Sequence, residues 1–144
     1  MTWPLEYQKA SYDFEHFMVA ARDAAGLATT NMAWTMVEGV FHTFRRRLSP
    51  SQILQFASVL PPLIRAMFLE GWLLADHPVP FASLRELTDE VQSLRIDHNF
   101  SPPNAIQAVA IALRKVIGDE PLEEVLASLP SAAQTYWAVD RDSA

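Results

Sequence analysis

The sequence predicts an all-α protein of about eight helices, arranged as two degenerate four-helix repeats that share one core. Three observations lead there. Apolar residues recur at the i, i+3, i+4, i+7 spacing of a helix face, behind Ser, Thr and Asn residues able to cap a helix start. The period-two alternation and Asn-Gly turns that mark strands are absent. Shifting the chain by 69 residues lays one half over the other.

Taken in order, Phe14, Phe17, Met18 and Ala21 form the stripe of a first helix after Ser11, which Gly26 can close in a left-handed conformation. Ala33, Val37, Val40, Phe41, Phe44 and Leu48 define the second helix, expected to be capped at Thr30 or Asn31. It ends on Arg45-Arg46-Arg47, where the carbonyl end of a helix favours cations. Ser49-Pro50-Ser51-Gln52 reads as a capping box with proline at the first helical position, and opens a third helix carrying Ile53, Leu54, Phe56, Ala57 and Leu60. Pro61 stops that helix because a proline disfavours helical angles in the residue before it, and Pro62 begins a fourth with Leu63, Ile64, Met67 and Phe68. Residues 75–80 read as a linker. Ser83-Leu84-Arg85-Glu86 is a second capping box, leading into a fifth helix striped by Leu84, Leu87, Val91 and Leu94. Ser101-Pro102 is expected to start a sixth, nearly all apolar from Ala105 to Leu113 and closed by Gly118. A seventh runs from about Asp119 to Pro130, and Ser131 to Trp137 forms a short eighth.

A chain of 144 residues with 50% hydrophobic and 19% charged side chains can bury a sizeable core, which excludes disorder and fits a single domain over 1–144. Its repeats are expected at about 12–74 and 81–139. With 11 basic and 17 acidic residues the net charge is −6, which argues against a nucleic-acid partner. No cysteine is present, so disulfides, thiolate metal sites and cysteine nucleophiles are excluded. The start lacks a basic region followed by an apolar run. The longest apolar stretch, Val59 to Ala75, is broken by Pro61, Pro62, Arg65 and Glu70, so neither a membrane partner nor a leader is expected and the cytoplasm is the expected location.

Under the 69-residue shift, Leu60-Pro61 falls on Leu129-Pro130, Met67 and Phe68 on Tyr136 and Trp137, and Arg45 on Arg114. Val37, Val40, Phe44 and Leu48 fall on Ile106, Val109, Leu113 and Ile117. Gly39 lies off the main stripe of its helix, where an exposed glycine costs about 0.8–1.0 kcal/mol relative to alanine. Since Gly39 matches Ala108 and Thr43 matches Ala112, the second and sixth helices are expected to cross at these small side chains. The same two-halves pattern, with Leu-Pro-Pro-Leu-Ile-Arg running to Gly71-Trp72 and Leu129-Pro130 leading to Tyr136-Trp137, resembles the bacterial domain-of-unknown-function family 2267 over roughly residues 12 to 137. The resemblance implies a small, soluble, all-helical bacterial protein and carries over no catalytic residues.

Candidate chemistry is sparse. Glu38 and His42 stand four apart on one helix and share a face, which could orient an imidazole, yet the matching positions are Gln107 and Ile111. They read as an ordinary surface pair. A di-iron bundle needs two Glu-x-x-His pairs and further inward glutamates, which this chain does not supply, so no metal or other cofactor is expected. Asp76-His77 and Asp97-His98 belong to loops, where solvated polar residues are ordinary. No Gly-x-Ser-x-Gly elbow, phosphate loop or dinucleotide fingerprint occurs, and no enzyme is expected. Arg45, Arg46 and Arg47 fan out by about 100° per residue, which suits pairing with an acidic surface better than a phosphate backbone. The expected acids are Asp119, Glu120, Glu123 and Glu124, of the same chain or of a neighbour. Trp3, Tyr7, Tyr12, Trp72, Leu73 and Leu74 are expected to strap over the bundle, or, where exposed, to mark a partner surface. The expected function is a protein-interaction or regulatory module, binding a partner protein or itself, as in a homodimer, through Trp72, Leu73, Arg46 and Arg47. The alternative is a binder of an apolar or amphipathic small molecule in a pocket between the repeats.

Overall fold

The computed structural model describes residues 2–140; Met1 and residues 141–144 of the expected domain lie outside the described residues. Among the described residues there are nine α-helices, one 3₁₀ turn and no strand. In order they are α1 (Leu5–Gln8), α2 (Ala10–Ala25), α3 (Thr30–Arg45), α4 (Pro50–Ala57), α5 (Pro62–Leu69), α6 (Leu84–Ser93), the 3₁₀ turn Ile96–His98, α7 (Ala105–Ile117), α8 (Asp119–Ala127) and α9 (Ser131–Tyr136).

Most boundaries follow from the caps. Ser49 Oγ accepts from Gln52 N while Gln52 Oε1 accepts from Ser49 N at 2.8 Å, closing the expected box at α4. Ser83 Oγ accepts from Glu86 N at 3.2 Å at the start of α6. Two starts differ from expectation. Thr29, not Thr30 or Asn31, caps α3, its Oγ1 accepting from Met32 N. The helix expected from Ser101-Pro102 begins only at Ala105, because Pro103 pushes Pro102 out of helical angles and Asn99 Oδ1 engages the Ser101 N–H and hydroxyl. The one-turn α1 was not expected and buries no residue.

Buried side chains from α2 through α9 form one hydrophobic cluster. At its centre Trp137, fully buried, has ring centroids 6.1 Å from Phe41, 5.4 Å from Phe44 and 5.5 Å from Phe56. Phe68 meets Phe41 and Phe56 at 5.6 and 5.1 Å. The Tyr136 hydroxyl donates to Val40 O at 2.7 Å, tying α9 to the middle of α3 across 96 residues. Burial drives the Tyr136 phenol well above its ordinary range, with Arg47 opposing and Glu90 adding to the shift.

The helices pair crosswise: α2 lies along α7, and α3 along α6. Helices α3 and α7, expected to cross at Gly39–Ala108 and Thr43–Ala112, also touch. Gly39 does mark a close approach, but its neighbour is Val91 of α6, whose carbonyl oxygen would stand 2.9 Å from an added Cβ. Asn99 holds that carbonyl by donating to it at 2.8 Å and to Leu94 O at 2.7 Å, so the end of α6 is braced where α3 passes.

Two arginines close the short helices. Arg45 Nη1, at the last turn of α3, donates to Phe68 O and Glu70 O, each at 2.8 Å, satisfying carbonyls at the end of α5. Arg114, in the last turn of α7, donates to Trp137 O through Nη2 at 2.9 Å and Nε at 3.3 Å, at the end of α9. Each bond to an aromatic carbonyl spans 23 residues, and both ends move together under the 69-residue shift.

Candidate functional site

The end of α3 carries the polar groups that sequence alone singled out, and the chain after α5 returns to cover them. Gly71, at φ 75°, turns the backbone in the left-handed region that a side chain disfavours, and Trp72 N–H bonds back to Leu69 O. Val79 N–H then donates to Arg46 O at 2.9 Å, satisfying a terminal carbonyl of α3 and pinning residues 72–79 against it. The expected linker is therefore a wall. Between this wall, α3, Ile53 of α4 and Leu94 lies a cleft of about 460 Å³, lined also by His42, Arg45, Arg46, Asp76 and His77.

Arg45 and Arg46 follow His42 by three and four residues, about one helical turn, and all three line the same opening. His42 Nε2 is buried with no hydrogen-bond partner among the described residues. Burial lowers the imidazole from 6.5 to about 4, helped by Arg45 and Arg95 and opposed by Glu70, so the ring is neutral at pH 7. Burial likewise lowers the Arg45 guanidinium from its ordinary value, while Asp76 pulls it back up. Both Arg45 bonds leave from Nη1, and among the described residues no carboxylate lies within ion-pair distance of it.

The other expected site residues disperse. Arg47, expected on a partner-binding face, has a side chain only 6% exposed and forms a bidentate pair with Glu90, at 2.6 and 3.0 Å. Arg46 joins the same carboxylate at 2.8 Å. Within the chain Arg46 and Arg47 thus meet Glu90 of α6, not the acids of α8; Asp119 and Glu123 pair with Arg114 at 3.1 and 2.7 Å. Burial pushes the Glu90 carboxyl upward, but the hydrogen bonds and charges of Arg47 and Arg46 outweigh it and hold the group below its ordinary range. Glu38 and His42 are not a surface pair. Glu38 is 7% exposed and reaches Arg95 at 3.7 Å, and no hydrogen bond joins it to His42 among the described residues. Trp72 lines the cleft, whereas Leu73 is exposed and does not.

Asp97-His98 sits on the 3₁₀ turn, and among the described residues no group of three or more His, Asp or Glu side chains could hold a metal ion. Trp3, Tyr7, Tyr12, Leu73 and Leu74 are exposed, so they are not the straps expected of them. No helix among the described residues is long and apolar enough to cross a membrane. A second, more apolar groove of about 540 Å³ runs between α2, α3 and α5, lined by Phe14, Trp34, Leu63, Ala66, Met67 and Leu69, with Glu70 at its edge.

Residues 14–136 match the model of a family described as an uncharacterized conserved protein, DUF2267. The chain belongs to this family. The match takes in every residue of the cleft and begins within α2, past α1. No curated protein matches the chain.

Sequence reasoning missed Arg45 as a site residue and treated Asp76-His77 as solvated loop. The available signal was that Arg45 and Phe68 shift together onto Arg114 and Trp137, which marks a long-range pair.

Proposed function

We propose that this DUF2267 chain is a protein-interaction module that self-associates, the apolar N-terminal segment of one copy seating in the groove between α2, α3 and α5 of another. One observation carries the reading: the chain leaves both an apolar arm and an apolar groove uncovered. Trp3 and Leu5 are 71% and 68% exposed, and the groove side chains Trp34 and Leu63 are 39% and 41% exposed. Isolated exposed apolar residues are ordinary, but a contiguous apolar groove is a contact surface. Phe14 and Trp34 pack edge to face at 5.7 Å, so the groove floor is already ordered and little side-chain entropy is lost on filling it.

Sedimentation velocity over a rising concentration series tests this. The wild-type coefficient is expected to climb with concentration, and both Leu63→Glu in the groove and Leu5→Glu in the arm are expected to hold the chain as a monomer. A wild type that stays monomeric throughout, or an arm variant that associates unchanged, overturns the proposal.

A second reading, binding of an amphipathic small molecule between the halves, is favoured by the cleft at the end of α3, because Leu94 of the second half closes a wall built otherwise from the first.

A further inference from the structure

Resting on that second reading, the geometry points to a small organic acid as the ligand of the cleft, its carboxylate on the Nε–Nη2 edge of Arg45 and its apolar body against Trp72. The guanidinium is already oriented. Nη1 donates to Phe68 O and Glu70 O, which fixes the plane and leaves the opposite edge, Nε and Nη2, without a partner among the described residues. Two parallel N–H groups on one edge match the two oxygens of a carboxylate, and a pre-oriented fork gives up little freedom on binding. A cation this buried without a contacting anion is costly, and a bound carboxylate relieves that cost.

His42 also lines the cleft; its Nε2 is buried and unpartnered among the described residues, so the ring reports on the cleft without supplying a bond to the ligand. Besides His77 the remaining lining is apolar, with Trp72, Leu48, Ile53 and Leu94 around a volume suited to a compact aromatic or branched acid. A single negative charge fits better than a phosphate dianion. Arg46 is engaged by Glu90, one guanidinium edge is free, and Asp76 stands at the opening as a like charge.

The test uses the full chain and phenylacetate, phenylacetamide and inorganic phosphate as probes, followed by the His42 ring and Trp72 indole NMR signals. Phenylacetate is expected to shift both signals saturably. Phenylacetamide and phosphate should bind at least about tenfold more weakly, since charge-assisted bonds to the fork and contact with Trp72 are each needed. Arg45→Met should lose at least about tenfold in affinity. Because that variant also removes the α5 cap, Asp76→Asn at the exposed rim is the second variant: removing the like charge should tighten phenylacetate several-fold. Phenylacetamide binding as tightly as phenylacetate, or Asp76→Asn leaving the affinity unchanged, overturns the organic-acid assignment while leaving a small-molecule cleft. No shift of His42 with any probe overturns both.

Discussion

At the end of α3 and at the end of α7 an arginine donates to an aromatic carbonyl 23 residues further on, and there the likeness stops. Arg114 is flanked by two exposed carboxylates, Asp119 and Glu123, and its cleft of about 630 Å³ is lined by Ile111 and Lys115 where the other has His42 and Arg46. Arg45 has no ion pair among the described residues, only the more distant Asp76 across its cleft, and is roofed by residues 72–79. One arginine is electrostatically complete within the chain. The other is held in place but not neutralised. The same structural bond therefore supports a closed arrangement in one half and an open one in the other, which is why the cleft at α3 is the more promising site.

Replacing each arginine by methionine sharpens that contrast most. Arg45→Met leaves the buried Phe68 carbonyl and the part-buried Glu70 carbonyl without this donor and should cost about 2–4 kcal/mol by denaturant unfolding. Arg114→Met exposes Trp137 O on a half-open side where water can replace the guanidinium, and should cost about 1 kcal/mol. Equal losses would contradict the distinction between a buried cap and a solvated one.

Gly39 and Ala108 differ for a similar reason. Giving the first half the residue of the second, Gly39→Ala, places a Cβ 2.9 Å from Val91 O, a backbone atom braced by Asn99, so α6 must shift. The gain in helix propensity is about 1 kcal/mol, and overpacking costs about 1–3 kcal/mol, so a net loss of up to about 2 kcal/mol is expected in the same unfolding assay. An unchanged or raised stability would mean that α6 yields freely.

The helices were legible because their determinants are local. Ser49, Ser83, Pro62 and Gly26 act within one turn of their own position, and α2, α4 and α6 follow from them and from the apolar stripes. Gly39 was legible as a place of close approach, but a missing side chain says only that something comes near, not which helix. That was settled by the crosswise pairing of α2 with α7 and α3 with α6, a tertiary fact. The cleft was illegible for the same reason. Its wall depends on one backbone bond, Val79 N–H to Arg46 O, and a backbone donor leaves no trace in residue identity. Arg46 and Arg47 looked like a surface run because their acceptor, Glu90, stands 43 residues beyond Arg47 in the chain.

The smallest effect concerns His42, and its sign is informative. The folded imidazole titrates near 4, the unfolded one near 6.5, so between those values the unfolded chain binds more protons and stability falls as pH falls. Glu90 also loses stabilisation in acid, but only below the ordinary carboxylate range, since its folded value is depressed. Loss of stability between pH 6.5 and about 5 therefore isolates the imidazole. His42→Ile, which gives α3 the residue of α7, should flatten that segment of a Tm-against-pH curve and change stability at pH 7 by less than about 1 kcal/mol, because an unpartnered buried nitrogen is exchanged for an apolar side chain. Were the variant to keep the wild-type slope, the imidazole would have to be solvated in the folded chain, and the cleft would be more open to water than its lining indicates.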